Sequence, residues 1–297
     1  MRIGWILMPT DPWAETVRRA RHLESLGYDH VWVYDHLSWQ RYRDRPWHAT
    51  YPWLAALAAS TTTIRLGTMV ANPNIRHPLL LAKDAMTIDT ISEGRLTIGL
   101  GAGGTGFDVS VLGQPLLTLA ERHDRFEEFV PLLDGLLRGT ITDHTGAWYT
   151  VDGARLLPGC AQQPRLPLAI AATGPRGIAL AARFGDAWIS NGDPTRPGID
   201  EASAQAAVAT QVALFERECE AAQRDHVTLD RIFNVGLSDA RPLSSVEAFA
   251  DFAGRYGELG FTDIVLHHPR PDDPVWNEPD EIVDQIASLD RGRIRLW

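Results

Sequence analysis

The chain has 297 residues, 44% of them hydrophobic, a formal net charge of −10 and a single lysine, Lys83. The acidic balance argues against nucleic acid and anionic membranes as main partners, and a lone lysine inside an expected helix leaves no amine for Schiff-base aldolase or pyridoxal chemistry. Two cysteines, Cys160 and Cys219, are too few for a disulfide framework and lack metal-ligand spacing, so no metal site is expected from them.

Arg2 and the short apolar run that stops at Pro9 do not form a secretory signal, and no apolar run is long enough to span a bilayer. A cytoplasmic protein is expected. From there, short apolar runs alternate with helical patterns. "IGWIL" (3–7) reads as a strand, and the helix over about 13–26 is closed by Gly27. "HVWVY" (30–34) precedes a helix near 51–60, "IRLGTMV" (64–70) a helix near 78–91, and "RLTIGL" (95–100) a glycine-rich loop and a helix near 118–137. "LAIAA" (168–172) leads to a helix near 175–184 and "AWIS" (187–190) to one near 201–222. "IFNVGL" (232–237) leads to a helix near 245–259, and "DIVLH" (263–267) to a last one near 279–289.

Strict alternation of strand and helix implies a parallel sheet with crossover helices. Eight units in this length favour an α/β fold closed as a (β/α)8 TIM barrel over an open doubly wound sheet. The expected organisation is one domain over 1–297, with an insertion at about 138–167 between units four and five that reads as a hairpin and an extended arm. A weak internal echo supports repetition: "ARHLESLGYDHVWVYDH" (20–36) and "AGRYGELGFTDIVLHH" (253–268) share helix, Leu-Gly, aromatic, strand. The glycine would end each helix in a left-handed cap, and the aromatic would pack beneath the barrel.

In such a barrel, ligands bind at the carboxyl ends of the strands. Asp35 and His36 end the second strand, where they either line a pocket or merely cap the next turn. The third strand ends in "MVANPNIRHP", bringing Asn72, Arg76 and His77 to the same rim, and the eighth ends in His267 and His268. "GAGGTG" (101–106) matches the dinucleotide pattern G-x-G-x-x-G, but no helix is expected before about 118, so a Rossmann reading fails its context. The glycines instead let the backbone lie against a flat ring. In "ATGPRGIALAARF" (172–184), Gly174 turns the chain, Pro175 suits a first helical position and Arg176 stands nearby, which suits an anion or an ordinary strand-to-helix turn. Trp39, Trp47 and Trp53 in the loop after the second strand are candidates to roof a ligand, with Trp53 the one expected to bury against the barrel or a second subunit.

Nearly the whole chain resembles the bacterial luciferase-like superfamily of flavin and deazaflavin oxidoreductases. "IRLGTMVANPNIRHPLLLAKDAMTIDTISEGRLTIGLGAGG" is the most specific stretch, joined by the 20–36 segment and by "WYTVDGARLLPG" with "PRLPLAIAATGPRGIALAARFGDAWIS". The resemblance implies a barrel holding a ring cofactor, usually in a homodimer. The short chain and the "DH" ending the second strand are more similar to the branch that uses the deazaflavin coenzyme F420, with FMN the alternative. Carried over by position, a non-proline cis peptide falls at Met69-Val70; Asp35, Asn72, Gly101, Gly103, Thr173, Gly174, Pro175 and Arg176 line the cofactor; and His36 faces the reacting carbon. Some sugar-phosphate dehydrogenases of the family carry a catalytic glutamate where this chain has Gly104, so that acid is absent and the substrate stays open. The expected activity is hydride transfer between C5 of the deazaflavin and a small organic substrate, with His36 moving the proton. The alternatives are an FMN-dependent monooxygenase, a metal-dependent barrel using Asp35, His36, His267 and His268, and a cofactor binder without activity.

Overall fold

The parallel register of each strand pair in turn closes a barrel in this protein, in a computed structural model that describes residues 1–39 and 42–289. The elements run β1 (Arg2–Ile6), α1 (Trp13–Ser25), β2 (His30–Val33), α2 (Thr50–Ser60), β3 (Arg65–Thr68), α3 (Pro78–Ile91), β4 (Leu96–Leu100), α4 (Phe107–Val111) and α5 (Leu119–Leu137). They continue with β5 (His144–Thr145), β6 (Thr150–Val151), β7 (Leu168–Ala171), α6 (Pro175–Phe184), β8 (Ala187–Ser190), α7 (Glu201–Ala221), β9 (Asp230–Asn234), α8 (Val246–Glu258), β10 (Asp263–His267) and α9 (Glu281–Ala287). Among the described residues, eight strands close in the order β1-β10-β9-β8-β7-β4-β3-β2. This is the expected (β/α)8 barrel.

Burial on both faces explains why the strands read as unbroken apolar runs. Outward-pointing residues such as Ile3, Trp5, Val31 and Val33 pack with the helices in one large core. Inward-pointing Ile6, Trp32, Met69, Ile189, Ile232 and Val265 fill the barrel itself. The amino-terminal end is plugged by aromatic and charged groups. A Cβ on Gly4 would lie 1.9 Å from the His30 ring, and one on Gly67 2.3 Å from Trp32, so only glycine admits these rings. The Trp32 indole donates to His30 Nδ1 at 2.6 Å, and His30 Nε2 meets Asp263 at 2.8 Å, which Arg2 Nε also contacts at 2.8 Å. Burial works against the Asp263 carboxylate, but hydrogen bonds and attraction from His30 and Arg2 outweigh it and hold its pKa at about 2.

The repeated Leu-Gly-aromatic turns behave as expected. Gly27 and Gly260 take φ of 73° and 85°, a region that costs other residues a Cβ clash, and Tyr28 and Phe261 are buried behind them. The insertion forms the antiparallel pair β5-β6, held because Glu128 accepts from the amides of Trp148 (3.0 Å) and Tyr149 (2.9 Å). Strand and helix ends differ from the expected ones by a few residues, and three differences bear on the architecture. β3 stops at Thr68, just before the cis Met69-Val70 peptide, and pairing resumes only as a bridge from Ala71 to Leu100. α9 is shorter than the expected 279–289, of which Asp290 onward lies outside the described residues. α4 opens directly after the glycine loop, where no helix was expected; its five residues are too few to show periodicity.

Candidate functional site

β2 delivers Asp35 and His36 to the carboxyl end of the barrel, where they take different partners. Asp35 is fully buried and accepts from Arg76 twice, at 2.8 Å from Nε and 2.5 Å from Nη2. Burial pulls the Arg76 guanidinium down, but the hydrogen bonds and charge of Asp35 reverse the shift and raise it. Arg76 also lies over the Tyr51 ring, 4.5 Å from its centroid. Asn72 donates to the Asp35 carbonyl at 3.4 Å, and its own side-chain oxygen accepts from the Asn74 amide at 3.0 Å.

His36 meets a residue that sequence reasoning missed. Its Nδ1 lies 2.6 Å from Asp108 Oδ2, and Asp108 Oδ1 accepts from the Leu37 amide at 2.7 Å. Asp108 is buried, whereas the His36 side chain keeps 27% of its surface exposed. A carboxylate can only accept, so Nδ1 carries the hydrogen and Nε2 is the free position. α4, seated by Gly106, delivers Asp108. Position 104 is indeed glycine, yet the site still holds a carboxylate, supplied four residues later. The available signal was that Asp108 is the sole acidic residue between the fourth strand and Glu121.

The glycines at the end of β4 and just after it fit against the Met69-Val70 turn. A Cβ at Gly99 would fall 2.0 Å from the Thr68 carbonyl, and one at Gly101 2.7 Å from Val70 Cγ2. Gly103, at φ 79°, would meet the Asn74 side chain at 2.8 Å. Asn74 ties this loop down by donating to the Gly104 carbonyl at 2.9 Å, and Arg125 from α5 bonds its oxygen. Burial lowers the pKa of Arg125.

A cavity of about 340 Å³ opens between these parts, walled by His36, Trp39, Asn72, Asn74, Gly104 and Phe107. Bare backbone at Gly104 and Gly106, polar amides at Asn72 and Asn74 and aromatic faces at Trp39 and Phe107 suit a flat, hydrogen-bonding ring. Trp39 stacks on His36 with centroids 6.1 Å apart, and the Trp47 indole donates to the His36 carbonyl at 2.8 Å. Trp53 instead stacks on His48 at 4.3 Å and packs edge-on against Trp13 at 5.0 Å, away from the mouth.

Thr173 and Gly174 lead into α6, with Gly174 as its cap and Pro175 in the first turn. This turn does not line the 340 Å³ cavity. Arg176 turns aside. It pairs with Glu127 (2.7 and 2.6 Å) and Asp124 (2.6 Å) on α5, which raises its pKa through those hydrogen bonds. Arg176, expected to stand near an anion at this turn, has its guanidinium held by these two carboxylates. Asp35 is likewise committed to Arg76 and the Nδ1 of His36 to Asp108, and no group of three or more His, Cys, Asp or Glu residues able to hold a metal occurs among the described residues. No helix among them is long and apolar enough to cross a membrane.

The model of a family described as luciferase-like monooxygenase matches residues 1–289. The chain is 29% identical to an F420-dependent glucose-6-phosphate dehydrogenase of Beutenbergia cavernae, covering 90% of this chain and 92% of that one. It is 33% identical to an F420-dependent hydroxymycolic acid dehydrogenase of Mycobacterium tuberculosis, over 72% of this chain and 56% of the relative. A solved F420-dependent secondary alcohol dehydrogenase, in complex with an F420-acetone adduct, superposes with a TM-score of 0.80. It covers 97% of this chain and 99% of its own at 18% identity, a likeness of fold.

Proposed function

The chain belongs to the luciferase-like monooxygenase family, and from that premise we propose that it is an oxidoreductase using coenzyme F420, moving a hydride between the coenzyme's C5 and a small organic substrate. When bound, the deazaflavin supplies two-electron hydride chemistry. Asp35, Met69, Val70, Asn72, Gly101 and Gly103 are assigned to holding its ring, with Thr173, Gly174, Pro175 and the amides of α6 toward its phosphate-bearing tail. The fit rests on the cavity that Asn72 and the bare backbone of Gly104 and Gly106 line, and on glycines that leave no space for a Cβ beside Val70; Asp35, Met69, Val70, Gly101 and Gly103 lie behind that wall rather than on it.

The carrying observation is the His36–Asp108 pair at the cavity wall. Asp108 fixes the imidazole by its Nδ1, so Nε2 gives a proton to, or takes one from, the substrate atom next to the reacting carbon. The barrel orients the two reactants, and Trp39 and Trp47 cover the imidazole on its loop side. Titrating the purified protein with F420 and with FMN separately tests the assignment. F420 binding in the micromolar range or tighter is expected; binding of FMN alone overturns it in favour of an FMN-dependent monooxygenase, the alternative that the family description suggests. The reading includes a cytoplasmic homodimer, as is usual in the family, which light scattering on the eluted protein checks.

A further inference from the structure

Beside the His36 cavity lies a second one of about 370 Å³, at the small end of pockets that run roughly from 300 to 1,000 Å³. The two share Trp39 as a wall. Tyr34, Trp39 and Trp276 give this second cavity aromatic faces, and Val235, Leu237 and Val275 give it aliphatic ones. Its charged side chains cancel. Arg270 pairs with Asp273, and the remaining Asp273 capacity is used by the Tyr42 hydroxyl (3.1 Å) and by the amides of Val275 (2.9 Å) and Trp276 (3.1 Å). His267 is engaged on both ring nitrogens, by the Tyr34 hydroxyl at 2.8 Å and by Arg270 at 3.4 Å, and its ring stacks on Trp276 with centroids 5.2 Å apart.

We propose that this cavity takes an uncharged, flat-ring ketone, or the corresponding alcohol in the reverse direction, rather than a phosphorylated or carboxylated substrate. Among the described lining residues, the one guanidinium is already neutralised, so a phosphate entering here would lose water without gaining a cation. A neutral ring loses little on leaving water and gains apolar contact with Trp39 and Trp276 on the cavity wall. Asn191 and Asn234 on the wall offer amides for a single polar substituent. The inference rests on the hydride-transfer reading above. With the reduced coenzyme as hydride donor, the carbonyl carbon gains a C–H bond, the C=O π pair moves to oxygen, and that oxygen takes its proton from Nε2 of His36, which lines the neighbouring cavity with its ring 6.1 Å from Trp39 and 6.3 Å from Tyr34 on this one. The products are an alcohol and oxidised coenzyme.

The test is a calorimetric titration of F420-loaded protein with 1-tetralone and with the same ketone bearing a ring carboxylate. The neutral ketone is expected to bind at least tenfold tighter. In Leu237→Arg, which places an unpaired cation on a half-buried part of the wall, the preference is expected to shift at least tenfold toward the carboxylate. Equal or tighter binding of the carboxylate by the natural protein overturns the inference, as does binding of neither compound while F420 binds, or an unchanged preference in the arginine variant. If tetralone binds but F420 does not, the oxidoreductase reading falls while the pocket's preference stands.

Discussion

His36 and Asp108 lie 72 positions apart in the chain and 2.6 Å apart in space, one at the tip of β2 and the other on the short helix after β4. The pair makes a directional claim about protonation, because the carboxylate selects which ring nitrogen faces the cavity. His36→Ala is expected to lower turnover by about 10²–10⁴-fold while F420 affinity, read by fluorescence titration, stays within about twofold. Unchanged turnover would remove His36 from the chemistry.

Asp108→Asn keeps the size of the side chain but replaces the acceptor-only partner of His36 Nδ1 with an amide that can also donate. Turnover is expected to fall by about 10–100-fold while the urea midpoint stays that of the natural protein. A midpoint that falls together with turnover would mark the pair as purely structural.

Arg76→Met strands the fully buried Asp35 carboxylate without its bidentate partner. Breaking a buried pair from one side costs about 3–5 kcal/mol, so the urea midpoint is expected to fall steeply. Arg76→Lys restores the charge but not the two parallel hydrogen bonds, and is expected to recover only part of the loss. A midpoint equal to that of the natural protein in the methionine variant would contradict the burial argument.

Gly101→Ala and Gly106→Ala form a matched pair. The added Cβ meets Val70 Cγ2 at 2.7 Å in the first and has nothing within 4 Å in the second. Overpacking of this kind costs about 1–3 kcal/mol. Because Val70 must shift, the first variant is expected to lose at least tenfold in F420 affinity while the second keeps it. Equal affinities in both would separate the turn at Val70 from cofactor binding.

Acid should weaken the fold in two windows. Burial drives His268 down from 6.5 to about 4, so the native state holds it neutral while an unfolded chain would take up the proton. More protons on the unfolded state means stability that rises with pH, and is lost as pH falls from about 6.5 toward 4. Asp263, held at about 2 against an ordinary 3.8, adds a second loss as pH falls through that lower interval. His268→Gln is expected to flatten the first window in urea titrations run at pH 7 and pH 5; an identical slope would refute the assignment.

The repeating pattern of the barrel was legible because it is local. Apolar runs, helix-closing glycines at 27 and 260, and Pro175 at a helix start each depend on a few neighbouring residues. The placement of Asp35, His36 and Asn72 at one rim followed once the strands were known to be parallel, since every strand then ends on the same side. Resemblance located the cis peptide at Met69-Val70, which no property of those two side chains announces.

What the amino-acid order determined by itself was the number and sequence of units and which end of each carries polar groups. Only the folded chain decided who meets whom. Barrel closure brings Tyr34 to His267 across 233 positions, α4 sets Asp108 against His36, and α5 claims the Arg176 guanidinium that the turn alone left free. Those pairings depend on the curvature of a closed sheet and on short-range contacts between distant segments. Hydrophobic periodicity reports only whether a side chain faces inward, and contains no term for which partner it finds there.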